Sequence, residues 1–187
     1  NVPFFGLIAY PFEWIWPMFF LALVLCIGVI YLGIREKQLS LKGMATGFLP
    51  LLTILLINGL IGFYIWPFLK TIYPEYQDML NGFTYNGHAY IAAMLYFSIA
   101  VCFMAYHRFR KTKVADLLVA PVLLWIIICG LLAKYLPGAA FFVIPVYALL
   151  AGFLINVRED HPNGFLLAFL SLPALLIFTP FVKMFPV

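Results

Sequence analysis

The sequence predicts an all-α, polytopic integral membrane protein with six transmembrane helices and both termini on the extracytoplasmic side. Hydrophobic residues make up 66% of the chain and charged residues 10%, and the mean hydropathy is +1.07. Soluble domains do not have this composition. The apolar runs are about 20 residues long, which is too long for barrel strands, and lipid offers no partner to an unpaired backbone group. The 187 residues therefore form a single membrane domain over 1–187, with about six spans and short connections.

Polar stretches separate the first three predicted spans. The first, 16–34, ends at REKQLSLKG. The second, 47–68, is entered through Thr46, whose hydroxyl is predicted to cap the helix. A longer polar connection over 70–87, KTIYPEYQDMLNGFTYNG, leads to the third span, 88–106, which ends at HRFRKTK.

Prolines mark the last three predicted spans. The fourth, 116–136, begins with Asp116 as the predicted cap of its first turn, and Pro121 lies near its start, where a missing amide proton costs little. The tight turn PGA leads to the fifth span, 140–157, and REDHPNG separates it from the sixth, 165–181. Pro145 and Pro173 fall inside these two apolar runs and are predicted to kink or interrupt their helices.

Basic residues flank the predicted spans unequally and so predict their orientation. Eight lie in the connections after spans one, three and five: Arg35, Lys37, Lys42, Arg108, Arg110, Lys111, Lys113 and Arg158. Three lie on the opposite side: Lys70, Lys134 and Lys183. Because basic residues that flank spans stay in the cytoplasm, both termini are predicted outside it. This distribution explains most of the net charge of +4, so no nucleic-acid partner is predicted.

Aromatic residues support the same orientation. Amphipathic rings prefer the membrane interface, and several gather at the proposed outer side: Trp14, Trp16, Trp66, Tyr73, Tyr85 and Tyr135. Asn1 would then lie outside the cytoplasm without an initiator methionine or a signal peptide in front of it. We expect the chain to be a fragment of a longer protein whose preceding segment is exported.

Polar and small residues inside the spans are few. Asn58 lies midway along span two, where it is a candidate ligand contact or, as we prefer, a partner in an interhelical hydrogen bond. Gly43 and Gly47 form a GxxxG pair, and Ala148 and Gly152 form a similar pair in span five. Both pairs are predicted to be close-packing sites.

The outer connection contains the remaining candidates for chemistry. Glu75, Asp78 and His88 could converge on a metal ion, but we prefer polar docking against an exported domain, because these ligand types do not form one coordination set. His107 and His161 are predicted to be solvated loop residues. The three cysteines, Cys26, Cys102 and Cys129, lie in different apolar spans and are predicted to be buried small hydrophobic residues.

Three stretches resemble the C-terminal membrane region of M28-family zinc metallopeptidases related to the vacuolar membrane protease and the endoplasmic reticulum metallopeptidase. They are VPFFGLIAYPFEWIWP, YPEYQDMLNGFTYNGHAYIAAM and LPGAAFFVIPVYALLAG. In that family an exported aminopeptidase-like domain precedes the spans, and its His, Asp and Glu residues bind two zinc ions. The resemblance implies that the zinc belongs to a peptidase domain outside this sequence. It therefore implies no catalytic, cofactor-binding or metal-binding residue in the chain itself.

We thus expect a domain that anchors an M28-like aminopeptidase and is not an enzyme alone, with a regulatory role left open. Its partners would be the lipid bilayer and its own exported peptidase domain, with a homo-oligomer left open. The short loops, and the small number of residues outside the predicted spans, favour a bacterial inner membrane with periplasmic termini. The alternative is a small transporter or lipid-binding membrane protein, with a cavity between kinked helices five and six and with Asn58 as its polar contact.

Overall fold

The computed structural model describes residues 11–78, 87–159 and 164–176, and over these ranges the chain is helical and contains no strand. Six α-helices follow one another: α1 (Ile15–Arg35), α2 (Leu41–Ile72), α3 (Gly87–Arg108), α4 (Val114–Tyr135), α5 (Val143–Arg158) and α6 (Gly164–Leu176). Short 3-10 helices span Phe12–Trp14, Pro74–Asp78 and Pro137–Phe142. The prediction of an all-α chain is therefore confirmed for the described residues.

Four of these helices are long and apolar enough to cross a membrane, namely α1 to α4. The 16 residues of α5 and the 13 described residues of α6 are apolar but shorter. At a rise of 1.5 Å per residue, 16 residues cover about 24 Å, less than the roughly 30 Å of a hydrocarbon core. The structure thus supports a membrane protein with four candidate spans.

The chain divides into two compact units. In the described residues, the first unit contains α1, the start of α2 as far as Gly47, and α4 to α6. The second unit contains α2 from Phe48 onward together with α3.

Two opposite faces of α1 differ in burial. The buried face consists of small and medium side chains spaced four, three and four residues apart: Ala22, Cys26, Val29 and Gly33. A second series with the same spacing is offset by two residues, about 200° around the helix, and is exposed: Phe20, Val24, Ile27 and Tyr31. Val24, for example, is 64% exposed. A helix that leaves a whole apolar face uncovered is suited to a lipid environment.

Helix α5 lies at the centre of the first unit, where it packs against α1, α4 and α6. Val146, Phe153 and Val157 are almost fully buried there. Pro145 is the third residue of α5, in the first turn, so its missing amide proton removes no intrahelical bond. The run predicted as one helix over 140–157 is interrupted two residues before Pro145, where the 3-10 helix over 137–142 ends and α5 begins at Val143, so Pro145 does not kink the body of α5. Pro173, in contrast, does lie inside α6.

Helix α4 begins at Val114, earlier than predicted, which places Pro121 eight residues into the helix and not near its start. The proline ring removes the amide that would bond the carbonyl of Leu117.

The start of α2 also differs from the prediction. The helix begins at Leu41, and the Ser40 hydroxyl accepts a hydrogen bond of 3.0 Å from the Gly43 amide, as an N-cap does. Thr46 is therefore not the cap. Its hydroxyl lies inside the helix and donates to the Lys42 carbonyl at 2.8 Å.

Helix α1 ends in a Schellman motif. The Gln38 amide donates to the Gly33 carbonyl at 2.9 Å, and the Lys37 amide donates to the Ile34 carbonyl at 3.1 Å. This motif requires a left-handed residue, and Lys37 adopts φ 57°, alone among the described non-glycine residues. Glycine normally takes this position because a Cβ atom is disfavoured there.

Candidate functional site

The mid-span polar contact lies in the second unit, between α2 and α3. The Ser98 hydroxyl donates to Asn58 Oδ1 at 2.6 Å, and it also lies 2.8 Å from the Met94 carbonyl, so two acceptors share its proton. Asn58 Nδ2 donates to the Ile54 carbonyl at 2.9 Å. The interhelical hydrogen bond expected of Asn58 is thus present, with Ser98 as the partner, and a small apolar core of Ile54, Val101 and Ala105 belongs to the same unit.

A second polar contact, in the first unit, joins the starts of α2 and α4. Asp116 is only 3% exposed. Its Oδ1 accepts a hydrogen bond of 3.0 Å from the Ser40 amide, and its Oδ2 accepts one of 3.4 Å from the Ser40 hydroxyl. The prediction that Asp116 caps its own helix is wrong, because the N-cap position of α4 is Lys113 and no side chain bonds there. The carboxylate instead holds the residue that precedes α2.

Two glycines of α2 allow this close approach. A Cβ atom added at Gly43 would collide with the Asp116 carboxylate. A Cβ atom added at Gly47 would lie 2.6 Å from the Asp116 backbone oxygen and 3.2 Å from the Leu117 Cα. The GxxxG pair therefore packs against α4 in the way its spacing predicts.

The glycine of the predicted pair in α5 faces α6. A Cβ atom added at Gly152 would lie 3.3 Å from the Leu170 side chain. This contact is tight but less so than the contact at Gly47, because a side chain can yield where a backbone cannot.

The three candidate metal ligands or docking residues of the outer connection, Glu75, Asp78 and His88, lie in two separate helices. Glu75 is exposed on the 3-10 helix Pro74–Asp78. Asp78 ends that helix and His88 is the second residue of α3, but the side chains of both lie outside the described residues. Within the described residues, no three His, Cys, Asp or Glu side chains are grouped as a metal site would require.

An aromatic cluster lies beside Glu75 in the second unit. The Trp66 and Tyr76 rings are parallel to within 3°, with centroids 6.2 Å apart, and Tyr73 lies 5.2 Å from Tyr76. The hydroxyls of Tyr76 and Tyr90 are 3.4 Å apart. This hydrogen bond, followed by desolvation, raises the pKa of Tyr76 to about 12. The cluster joins the end of α2 and the following 3-10 helix to the first turn of α3.

The cysteines lie in three different helices. Cys26 and Cys129 are buried, Cys102 is partly buried, and all three are free thiols. Cys129 Sγ donates to the Phe142 carbonyl at 3.2 Å. Their positions match small apolar residues of a helix interior.

Sequence reasoning missed two contacts. One is the bond between Asp116 and Ser40, for which the signal was an acidic residue in the first turn of an apolar run and a serine three residues before a GxxxG pair. The other is a hydrogen bond of 2.7 Å from the Tyr147 hydroxyl to the Met18 carbonyl. No sequence pattern marks this bond, because residues 129 positions apart form it.

Comparison with known proteins leaves the family of the chain open, since no family model, curated protein or solved structure matches it.

Proposed function

We propose that the chain is a six-span membrane domain that anchors an exported M28-like zinc metallopeptidase domain. The observation that carries the membrane part is the uncovered apolar surface of α1 to α4. Exposed side chains such as Val24, Leu56 and Phe103 would lie in water if the chain were soluble, and each buried large side chain is worth about 1.5–3 kcal/mol.

The internal polar contacts support an anchoring role over transport. Asn58 Oδ1 accepts a bond from Ser98, and the Asp116 carboxylate accepts two bonds from Ser40. Groups that bind a substrate at mid-membrane are usually ionisable and directed at a cavity. Here the polar groups are used to join helices, so the small-transporter or lipid-binding alternative has less support.

Six spans and outer termini are part of the proposal. The 3-10 helix Pro137–Phe142 and α5 together form an apolar segment of spanning length, and the sixth run continues past α6 to 181. The eight-to-three asymmetry of basic residues then favours both termini outside the cytoplasm. A reporter enzyme that is active only in the periplasm, fused after residue 187, tests this orientation. We expect the fusion to be active, and an inactive fusion would contradict an outer C-terminus.

The link to a peptidase rests on the resemblance of the three stretches. It implies a zinc-dependent aminopeptidase domain ahead of Asn1, with regulation by the membrane domain as a further option. The outer connection, with exposed Glu75, would face that domain. A bacterial inner membrane with periplasmic termini is the proposed location.

An immunoblot of source-cell membranes tests the link, with an antibody raised against 70–87. We expect a band much heavier than 21.3 kDa that loses mass when protease is added to the outer face. A band at 21.3 kDa would refute the proposal and favour the transporter alternative.

An activity assay separates the roles of the two parts. The heavier species should hydrolyse aminopeptidase substrates and lose this activity with a zinc chelator. The purified 187-residue chain should not, and chelator-sensitive hydrolysis by that chain would contradict the assignment of catalysis to the exported domain.

A further inference from the structure

Five basic residues gather at one end of the first unit, which we call the basic end: Arg35, Lys37, Lys42, Lys113 and Arg158. Lys113 Nζ donates a hydrogen bond of 3.0 Å to the Lys37 carbonyl, so the start of α4 touches the turn between α1 and α2. Lys42 is the second residue of α2, directly after that turn.

The two arginines reach the same end through the packing of α1 and α5. A Cβ atom added at Gly33 would lie 2.5 Å from the Leu39 side chain and 3.3 Å from the Val157 side chain. The last turns of both helices therefore meet the α1 to α2 turn. Arg35 follows Gly33 by two residues and Arg158 follows Val157 directly.

The charges at the basic end are not balanced. Within residues 11–78, 87–159 and 164–176, none of the five cations forms an ion pair. The acidic residues nearest in sequence are Glu36 and Glu159, both exposed, while the buried Asp116 is engaged by Ser40. Counted along the sequence, the five cations still exceed the three acidic residues directly beside them, Glu36, Glu159 and Asp160. Topology alone requires cations on this side of the membrane, but it does not require them to converge.

The backbone of Lys37 belongs to the turn at the centre of the basic end. Its φ of 57° is a conformation that glycine or asparagine adopts at lower energy, yet a lysine occupies it. The Schellman motif at the end of α1 imposes this conformation, whichever residue stands there. The bond from Lys113 to the Lys37 carbonyl places the backbone of this turn beside the start of α4.

We propose that the basic end binds the phosphate group of an anionic phospholipid in the surrounding bilayer. Anionic head groups bind in basic pockets beside transmembrane helices, and lysines on flexible stems reach the phosphate level. The inference requires the chain to lie in a membrane, as the proposed function does, but it does not depend on the peptidase.

The test compares how lipid binding changes when a lysine is removed from one end or the other of α4. The full chain, purified in mild detergent, is incubated with an equimolar mixture of dioleoylphosphatidylglycerol and dioleoylphosphatidylcholine, and bound lipids are counted by native mass spectrometry. Lys113→Gln removes a cation from the start of α4. Lys134→Gln is the matched control, since it removes the same charge from the last turn of α4.

We expect at least a fivefold preference for phosphatidylglycerol in the unmodified chain. Lys113→Gln should lower this preference about fivefold, the effect of roughly one charge beside an anionic surface, and Lys134→Gln should leave it unchanged. Equal binding of the two lipids by the unmodified chain, or equal losses in both variants, would overturn the proposal.

Two further measurements exclude unfolding and the binding of free phosphate as explanations. Lys37→Gly removes a cation while it relieves the left-handed strain, so the folded state is retained or stabilised and a loss of lipid preference cannot result from unfolding. Inorganic phosphate in the millimolar range should not displace phosphatidylglycerol. If it does, the site binds free phosphate and the lipid assignment is wrong. Because both measurements are made on the purified chain, their failure would leave the immunoblot test of the peptidase link unaffected.

Discussion

Replacing Gly47 with alanine tests the packing of α2 against α4. The new Cβ atom would lie 2.6 Å from the Asp116 backbone oxygen, well inside van der Waals contact, and a backbone atom cannot rotate away. The helices must then separate, which costs about 1–3 kcal/mol as overpacking does. Separation also stretches the bonds from Ser40 to Asp116, at about 1 kcal/mol. The gain in helix propensity offsets at most about 1 kcal/mol, so Gly47→Ala should lower the free energy of unfolding by about 2 kcal/mol.

Gly59→Ala is the matched control in the same helix. No atom lies within 4 Å of a Cβ added at Gly59, so only the propensity changes, and the variant should be stabilised by up to about 1 kcal/mol. The assay is unfolding by sodium dodecyl sulfate in mixed micelles, followed by circular dichroism. Equal effects of the two substitutions would refute the assignment of Gly47 to a backbone contact.

A double-mutant cycle distinguishes the two glycines of the pair. A Cβ atom at Gly43 meets the Asp116 side chain, whereas one at Gly47 meets the Asp116 backbone. Asp116→Ala should therefore remove the part of the cost of Gly43→Ala that does not come from Ser40 Oγ, 2.6 Å from the added Cβ, but little of the cost of Gly47→Ala. Additivity of Gly43→Ala and Asp116→Ala in the same unfolding assay would contradict the geometry.

Three further predictions concern single hydrogen bonds. Ser98→Ala should destabilise the chain by about 0.6 kcal/mol, a typical value for a hydrogen bond between membrane helices, and an effect above about 2 kcal/mol in the unfolding assay would contradict this role. Tyr147→Phe should cost about 1 kcal/mol in that assay, because it removes a bond to a carbonyl of α1, and no change would count against that bond. The raised pKa of Tyr76 means that the folded chain retains this proton more tightly than the unfolded chain, so the stabilisation is complete below about pH 10 and is lost as the pH rises through about 12. Tyr90→Phe should shift the Tyr76 titration, measured by absorbance at 295 nm, towards pH 10, and an unchanged titration would refute the hydrogen-bond cause.

Composition and run length were sufficient to predict the class of the protein and its four long helices, because the hydrophobic pattern persists whatever the helices pack against. Boundaries were less predictable. Thr46 and Ser40 are both competent caps, and the choice depends on the bond from Ser40 to Asp116, which is 76 residues away in sequence. Pro145 lies inside an apolar run, but the six residues that precede α5, 137–142, form a 3-10 helix, and hydropathy does not distinguish a 3-10 helix from an α-helix.

The contacts of the candidate site were predictable only where the chemistry of a side chain requires a particular kind of partner. Asn58 is a strongly polar side chain at mid-span and must find a hydrogen bond, so its position in the apolar run was enough to predict the contact. The identity of the partner, Ser98, did not follow. Asp116 was assigned to its own helix because local capping is the usual role of such a residue, whereas the close approach at Gly43 offered it a non-local one.

The length of α2 bears on the kind of membrane that suits the chain. Its charged side chains, Lys42 and Lys70, are 28 residues apart, which is about 42 Å along the helix. A hydrocarbon layer of about 30 Å is thinner than this separation. Helix α2 can therefore tilt in a thin bilayer or stand upright in a thick one without burying a charge. Helices α1, α3 and α4 have 21 or 22 residues and are about 32 Å long, so they hardly exceed the hydrocarbon thickness. Hydrophobic mismatch would therefore act on these three helices, and they would set the bilayer thickness that the domain prefers.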